Sequence, residues 1–250
     1  MTKETTTNQL NYLGLKFLEK NWETCLKQVE KKQTSYVKFL SEIIQQEYEL
    51  RVENARIYRI MKAKIPDMFV METFPFASQP KLKKKMVLEL YDSLSFMTES
   101  QDLIFIGPSG CGKTGLATSF LVHAINNGYR GRFICFSELI NDIYSACASH
   151  NQKKIINKYA NYKVLLIDEI GYGVLDKEKA GLFFELMKLR HRKTSTLFTS
   201  QLGFDEWGDV INDKHLTAAI LNRLTVNCTV FNMKNCISIR PYNVTNAAEK

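Results

Sequence analysis

The constraint on this chain comes from Gly107-Pro108-Ser109-Gly110-Cys111-Gly112-Lys113-Thr114. It follows the apolar run Leu103-Ile104-Phe105-Ile106 and leads into Leu116-Ala117-Thr118-Ser119-Phe120-Leu121. A strand, a glycine-rich turn and a helix start, in that order, make a phosphate-binding loop. The glycines permit the tight turn and let backbone N–H groups point at phosphate oxygens. The helix N-terminus adds partial positive charge at the same place. Lys113 is then placed to reach β- and γ-phosphates, and the Thr114 hydroxyl to ligate Mg²⁺. All eight residues are candidate nucleotide contacts. Cys111 is either an oxidation-sensitive thiol or a loop position facing away from the nucleotide.

A second motif is Val164-Leu165-Leu166-Ile167-Asp168-Glu169. A buried strand ending in two carboxylates suits phosphoryl transfer to water, with Asp168 in the Mg²⁺ shell and Glu169 polarising the attacking water. The pair argues against a small-molecule kinase, whose acceptor is a substrate hydroxyl. Thr199-Ser200-Gln201 closes the next strand. The Gln201 amide is either a γ-phosphate sensor or an ordinary polar strand end. Arg223, in Leu221-Asn222-Arg223-Leu224, is either a surface arginine or a finger donated to a neighbouring subunit's nucleotide.

From residue 103 onward strands alternate with helices. The candidate strands are Leu103–Ile106, Arg132–Phe136, Lys163–Ile167, Ser195–Thr199 and Cys228–Met233, with helices starting near Lys113, Ser137, Asp176 and Lys214. Short, nearly continuous apolar strands of this kind form a parallel sheet covered on both faces. Residues 8–64 read as helices, with stripes at Leu10, Leu13, Phe17 and Leu18 and at Tyr36, Phe39, Leu40, Ile43 and Ile44. A turn falls near residues 31–35, with Ser35 as N-cap. Pro66 and Pro75 end the helical region, and the apolar segment MFVMETFPFA reads as a packed linker. The expected division is a helical domain over 1–66, a linker over 67–85 and an α/β domain over 86–250.

The net charge of +8 favours a polyanionic partner, nucleic acid ahead of a membrane surface. The N-terminus has no apolar signal core, and no apolar stretch approaches the ~18 residues of a membrane span. The six cysteines show no C-x-x-C spacing, which points to reduced thiols and a cytoplasmic protein.

GPSGCGKT, VLLIDEIGYG, TSQLGFDEWGDV and LTAAILNRL, in this order and spacing, resemble IstB-like ATPases. These are helper proteins of insertion-sequence transposition, related to DnaC helicase loaders within the AAA+ class. The resemblance runs from about Gln9 to Arg240, and the FDEWGDV and AAILNRL pairing is its specific part. It implies an α/β AAA+ P-loop core with a five-stranded parallel sheet, behind a small all-helical N-terminal domain and without a C-terminal lid. It implies an ATPase using ATP and Mg²⁺, a homo-oligomer with active sites between subunits, assembled on double-stranded DNA with a cognate transposase. By motif position Lys113 and Thr114 bind phosphate and Mg²⁺, Asp168 the Mg²⁺ shell, and Glu169 the catalytic water. Gln201 takes the sensor-I position and Arg223 that of the arginine finger. Sensor I is usually Asn in this family, and the sensor-II arginine goes with the lid, leaving Arg240 as a weak substitute. The segment facing DNA in this clade matches Ser137–Tyr162, where Lys153, Lys154, Lys158 and Tyr159 are candidate contacts. The run Lys188, Arg190, His191, Arg192 and Lys193 reads as favourable charge at a helix C-terminus. The alternatives are a DnaC-like helicase loader and an ATP-gated DNA-binding scaffold with negligible hydrolysis.

Overall fold

The structure is a computed structural model and describes residues 3–32, 35–171 and 173–239. The chain packs as two units, Met1–Tyr58 and Arg59–Lys250.

The first unit is helical: α1 (Lys3–Tyr12), α2 (Lys16–Lys32) and most of α3 (Tyr36–Ala63). Gly14 turns the chain between α1 and α2 with φ +68°, and Arg51 donates to the carbonyls of Leu13 and Gly14. The buried Glu47 carboxylate accepts the Leu18 N–H at 2.8 Å. A side chain of α3 thus satisfies one of the orphan donors in the first turn of α2. Ser35 caps α3 through the Lys38 N–H, as expected, although Gln33 and Thr34 of the turn lie outside the described residues. The expected second stripe is split. Phe39 and Ile43 turn towards α2, whereas Tyr36, Leu40 and Ile44 are exposed. A helix buries only the face that its neighbour covers. The helix stops at Lys64, which takes φ +54° ahead of Pro66.

The second unit is built on five parallel strands, β1 (Asp102–Ile106), β2 (Gly131–Cys135), β3 (Val164–Ile170), β4 (Ser195–Ser200) and β5 (Cys228–Asn232), in the order β2-β3-β4-β1-β5. Side chains alternate between faces along each strand. Leu103, Phe105, Val164, Leu166 and Phe231 meet α6 (Lys113–Asn126), α4 (Lys84–Ser93) and α5 (Ser95–Thr98). Ile104, Ile106, Leu165, Ile167 and Phe198 meet α7 (Phe136–Ser145), α8 (Gln152–Ala160), α9 (Lys177–Arg190), α10 (Trp207–Ile211) and α11 (Lys214–Val226). Burial on both faces is why β1 and β3 read as continuous apolar runs. Full burial of Leu116, Phe120, Leu121 and Ile125 on α6 stabilises that contact by about 1.5–3 kcal/mol per side chain.

The strand starts are pinned by Arg190, which ends α9 as the basic run suggested but turns inward. It is 1% exposed. Its Nη1 donates to the carbonyls of Tyr159, Ala160 and Tyr162, its Nη2 to that of Ser195, and its Nε to Thr196 Oγ1. Two of these carbonyls belong to the last turn of α8, so the guanidinium caps that helix from the side. Asp102 at the start of β1 accepts the Thr196 N–H at 2.7 Å. Burial pushes its carboxyl up to about 7, against the opposing pull of Thr196 and of the Arg190 charge. Burial likewise brings the guanidinium down to about 10.

The segment Ser137–Tyr162 is two helices, α7 and α8, with His150 at φ +53° between them. Tyr159, expected on a surface facing nucleic acid, is fully buried and donates its hydroxyl to Asp142. Burial, then that carboxylate, raise its pKa. Among the described residues no helix follows β5, and none is long and apolar enough to cross a membrane.

Candidate nucleotide-binding site

The phosphate loop lies at the C-terminal end of β1, beside the position where the strand order reverses, and the open end of such a crevice is where α/β sheets take ligands. Two glycines are obligatory for different reasons. Gly112 caps α6 with φ +95°. At Gly107 a Cβ would meet the Met233 carbonyl oxygen at 2.7 Å, because β5 runs on past the loop and the Met233 N–H donates to Ile106 O. Lys113, the first residue of α6, is 8% exposed, and its ammonium donates to the carbonyls of Gly107 and Pro108, each at 2.7 Å. Cys111 is fully buried in the apolar layer beneath the loop.

A cavity of about 410 Å³ opens here, a size that suits a small ligand. Ser109, Gly110, Gly112, Lys113 and Thr114 line it, together with Glu169, Thr199, Ser200 and Gln201. Sequence reasoning did not assign the rest of the lining, made by Phe69, Val70, Thr73, Phe74, Pro75 and Ile239, of which Phe74 and Ile239 lie against Gly112. The apolar linker gave a signal of packing, but none of ligand contact, and Ile239 gave no signal at all. Gln79, from the same linker, donates to Cys111 O at 3.2 Å and Ile237 O at 2.7 Å, and accepts the Ile237 N–H. Ile239 N–H donates to Gly110 O. Arg240 lies outside the described residues.

The acidic strand runs three residues further than expected, through Asp168 and Glu169 to Ile170. Its pairing with β4 slips between Ile167 and Ile170, and Glu169 takes φ +61° at that irregularity. A bulge re-aims a side chain, and here the Glu169 carboxylate is exposed at the cavity. Thr199 of β4 holds the bulge. Its hydroxyl donates to Asp168 Oδ1 and accepts the Glu169 N–H at 2.9 Å. The Thr114 hydroxyl donates to the same Asp168 oxygen at 2.9 Å. A carboxylate and a hydroxyl at the head of the loop are the hard oxygen donors that Mg²⁺ takes, usually alongside water and phosphate oxygens.

Arg223 is elsewhere. Its Nη1 donates to Ala219 O on its own helix, and its guanidinium lies 4.6 Å from the centre of the Phe184 ring on α9. The structure therefore does not bring it to the phosphate loop of its own chain. Lys153, Lys154 and Lys158 are exposed on α8, outside the cavity. FDEWGDV serves packing: Trp207 is fully buried against Phe198 and Phe204.

A parallel sheet in this order, with one strand between the loop strand and the acidic strand, gives a P-loop protein with an AAA+-like fold. Solved structures share the fold. DnaA of Aquifex aeolicus, bound to AMPPCP, superposes with a TM-score of 0.55 at 17% identity, over 68% of this chain and 51% of that one. The DnaC helicase loader gives 0.52 at 20% identity, over 63% of this chain and 90% of that one. The family model for IstB-like ATP binding protein matches residues 8–246. An insertion sequence IS21 protein of Pseudomonas aeruginosa, itself named for ATP binding, is 35% identical over 225 residues, 90% of this chain and 84% of that one. The chain belongs to the IstB-like ATP-binding protein family.

Proposed function

We propose that the protein is an ATP-hydrolysing helper of insertion-sequence transposition, assembling on duplex DNA and acting with a transposase. The observation that carries the ATPase part is the hydrogen-bonded chain Thr114–Asp168–Thr199–Glu169 beside Lys113. Family membership and the insertion-sequence relative support the transposition part. The loop N–H groups and Lys113 would hold the triphosphate. Thr114 and Asp168 would hold Mg²⁺, which supplies charge neutralisation on the phosphates. The Glu169 carboxylate accepts a hydrogen bond from the attacking water and orients it, and Gln201 lines the same cavity. Arg223, remote from its own loop, is offered to a neighbouring subunit's nucleotide. Lys153, Lys154 and Lys158 meet DNA phosphates without reading sequence.

The test is ATP turnover against protein concentration, with and without long duplex DNA, for the wild type and Arg223→Ala. Turnover is expected to rise cooperatively, to be stimulated by duplex, and to drop by about 10³-fold in the variant although ATP still binds. Flat turnover indifferent to DNA and to Arg223 would sink the assembly mechanism. Stimulation by single-stranded DNA alone would favour a helicase loader, the reading that the DnaC-like fold keeps open.

Thr199 is a positioning residue in this scheme. Thr199→Val is expected to lower kcat roughly ten- to a hundred-fold, since misplacing a catalytic group by an ångström costs up to about 10². KM for ATP should stay near wild type, and Thr199→Ser should recover most of the rate. A uniform loss of ATP affinity instead would make Thr199 a fold residue only.

A further inference from the structure

We infer that the end of the sheet remote from the cavity, where β2, β3 and β4 begin, contacts the phosphate backbone of duplex DNA. This rests on the DNA-binding reading above and extends it to residues that reading does not include. Arg130 precedes β2, Lys163 precedes β3, and Arg192 and Lys193 precede β4. Main-chain bonds join the three turns. Lys163 N–H donates to Arg130 O at 2.9 Å, and Ser195 N–H to Lys163 O at 3.1 Å. Neighbouring strands lie about 4.8 Å apart, so the cations spread over roughly 10 Å, a length over which one DNA strand presents about three phosphates.

All four residues are exposed, and none takes part in an ion pair among the described residues. Charge at the C-termini of α6 and α8 does not account for Arg130 and Lys163. The carbonyls ending α8 are taken by the buried Arg190, and Ile125 O near the end of α6 by Arg59. Arg192 also holds φ +56°, a conformation glycine or asparagine adopts at lower cost. With its side chain exposed, packing does not explain an arginine there. No large exposed apolar residue falls in these turns, so the surface lacks the wedge that enters a lipid headgroup layer. On α8, Lys154 and Lys158 are four residues apart and share a helical face, and the helix ends at Ala160, just ahead of Lys163. The cationic band thus runs from α8 onto the strand starts. The cavity lies at the opposite strand ends, so DNA bound here leaves it open.

The test is the full chain carrying Arg130→Gln, Lys163→Gln, Arg192→Gln and Lys193→Gln, titrated with a labelled random-sequence duplex at several salt concentrations. The slope of log affinity against log salt is expected to become shallower by about 3–4, at about 0.9 per lost phosphate contact. Between about 50 and 200 mM salt the wild type should then lose roughly a hundred-fold more affinity than the variant. ATP affinity and the thermal midpoint should not change. If the quadruple variant misfolds, Lys163→Gln with Lys193→Gln should give about half the change in slope. A folded variant with wild-type affinity and slope overturns the inference alone. A wild type that does not bind duplex overturns the DNA reading and this inference with it. Loss of binding to phosphatidylserine vesicles, with duplex binding intact, would assign the surface to lipid and overturn it as well.

Discussion

Replacing Arg190 with methionine is expected to destabilise the fold by about 3–5 kcal/mol or more, the range for removing one partner of a buried charged network. Methionine fills much of the space but donates nothing. Five acceptors then lose their donor: the carbonyls of Tyr159, Ala160, Tyr162 and Ser195, and Thr196 Oγ1. Each buried acceptor left unsatisfied costs about 1–3 kcal/mol. Asp102 also loses the positive charge that opposes the effect of its burial. Four of the acceptors are main-chain groups, so no second substitution can remove them. Arg190→Lys should fail too, because an ammonium has three donors and no planar fork to span five acceptors. Urea unfolding of the three proteins checks this. A loss under about 1 kcal/mol for Arg190→Met would mean that water reaches these carbonyls.

Glu169→Gln is expected to lower ATP turnover by about 10²–10⁴-fold, the usual contribution of a positioned base, with ATP affinity close to wild type. The amide keeps the size of the side chain and leaves the Glu169 N–H bond to Thr199 in place. It removes only the charge that polarises water. The loop, Lys113 and Thr114 remain to hold the triphosphate. Lys113→Ala should do the reverse and abolish binding, so the two variants separate holding from splitting. Equilibrium binding of labelled ATP beside single-turnover hydrolysis distinguishes them. Full turnover in Glu169→Gln would mean that another group orients the water.

The legible parts of this molecule are those where chemistry repeats locally. All five strands stand within a few residues of their apolar runs, and burial on both faces makes the central β1 and β3 the plainest of them. The loop is legible because Gly107 and Gly112 meet backbone demands that no other residue satisfies. The rest depends on distant partners. Nothing around Arg190 marks it as buried, since its acceptors come from residues 159–162 and 195–196. Tyr159 sits among lysines in the chain, yet the helix turns it inward onto Asp142. The bulge at Glu169 hid for the same reason: the strand reads as finished at Ile167, and only Thr199, thirty residues on, shows how it continues.

Gln79 has a consequence for the order in which the molecule matures. Its side chain joins Cys111 in the phosphate loop to Ile237, which lies 158 residues beyond Gln79 itself. Contacts of such separation close late, after the entropy of the intervening loop has been offset by other structure. A chain emerging from the ribosome has its β1–loop–α6 segment long before Ile237 and Ile239 arrive to brace it. The bracing of the phosphate loop by Ile237 and Ile239 is thus a late step, completed on a β1–loop–α6 segment that is already in place.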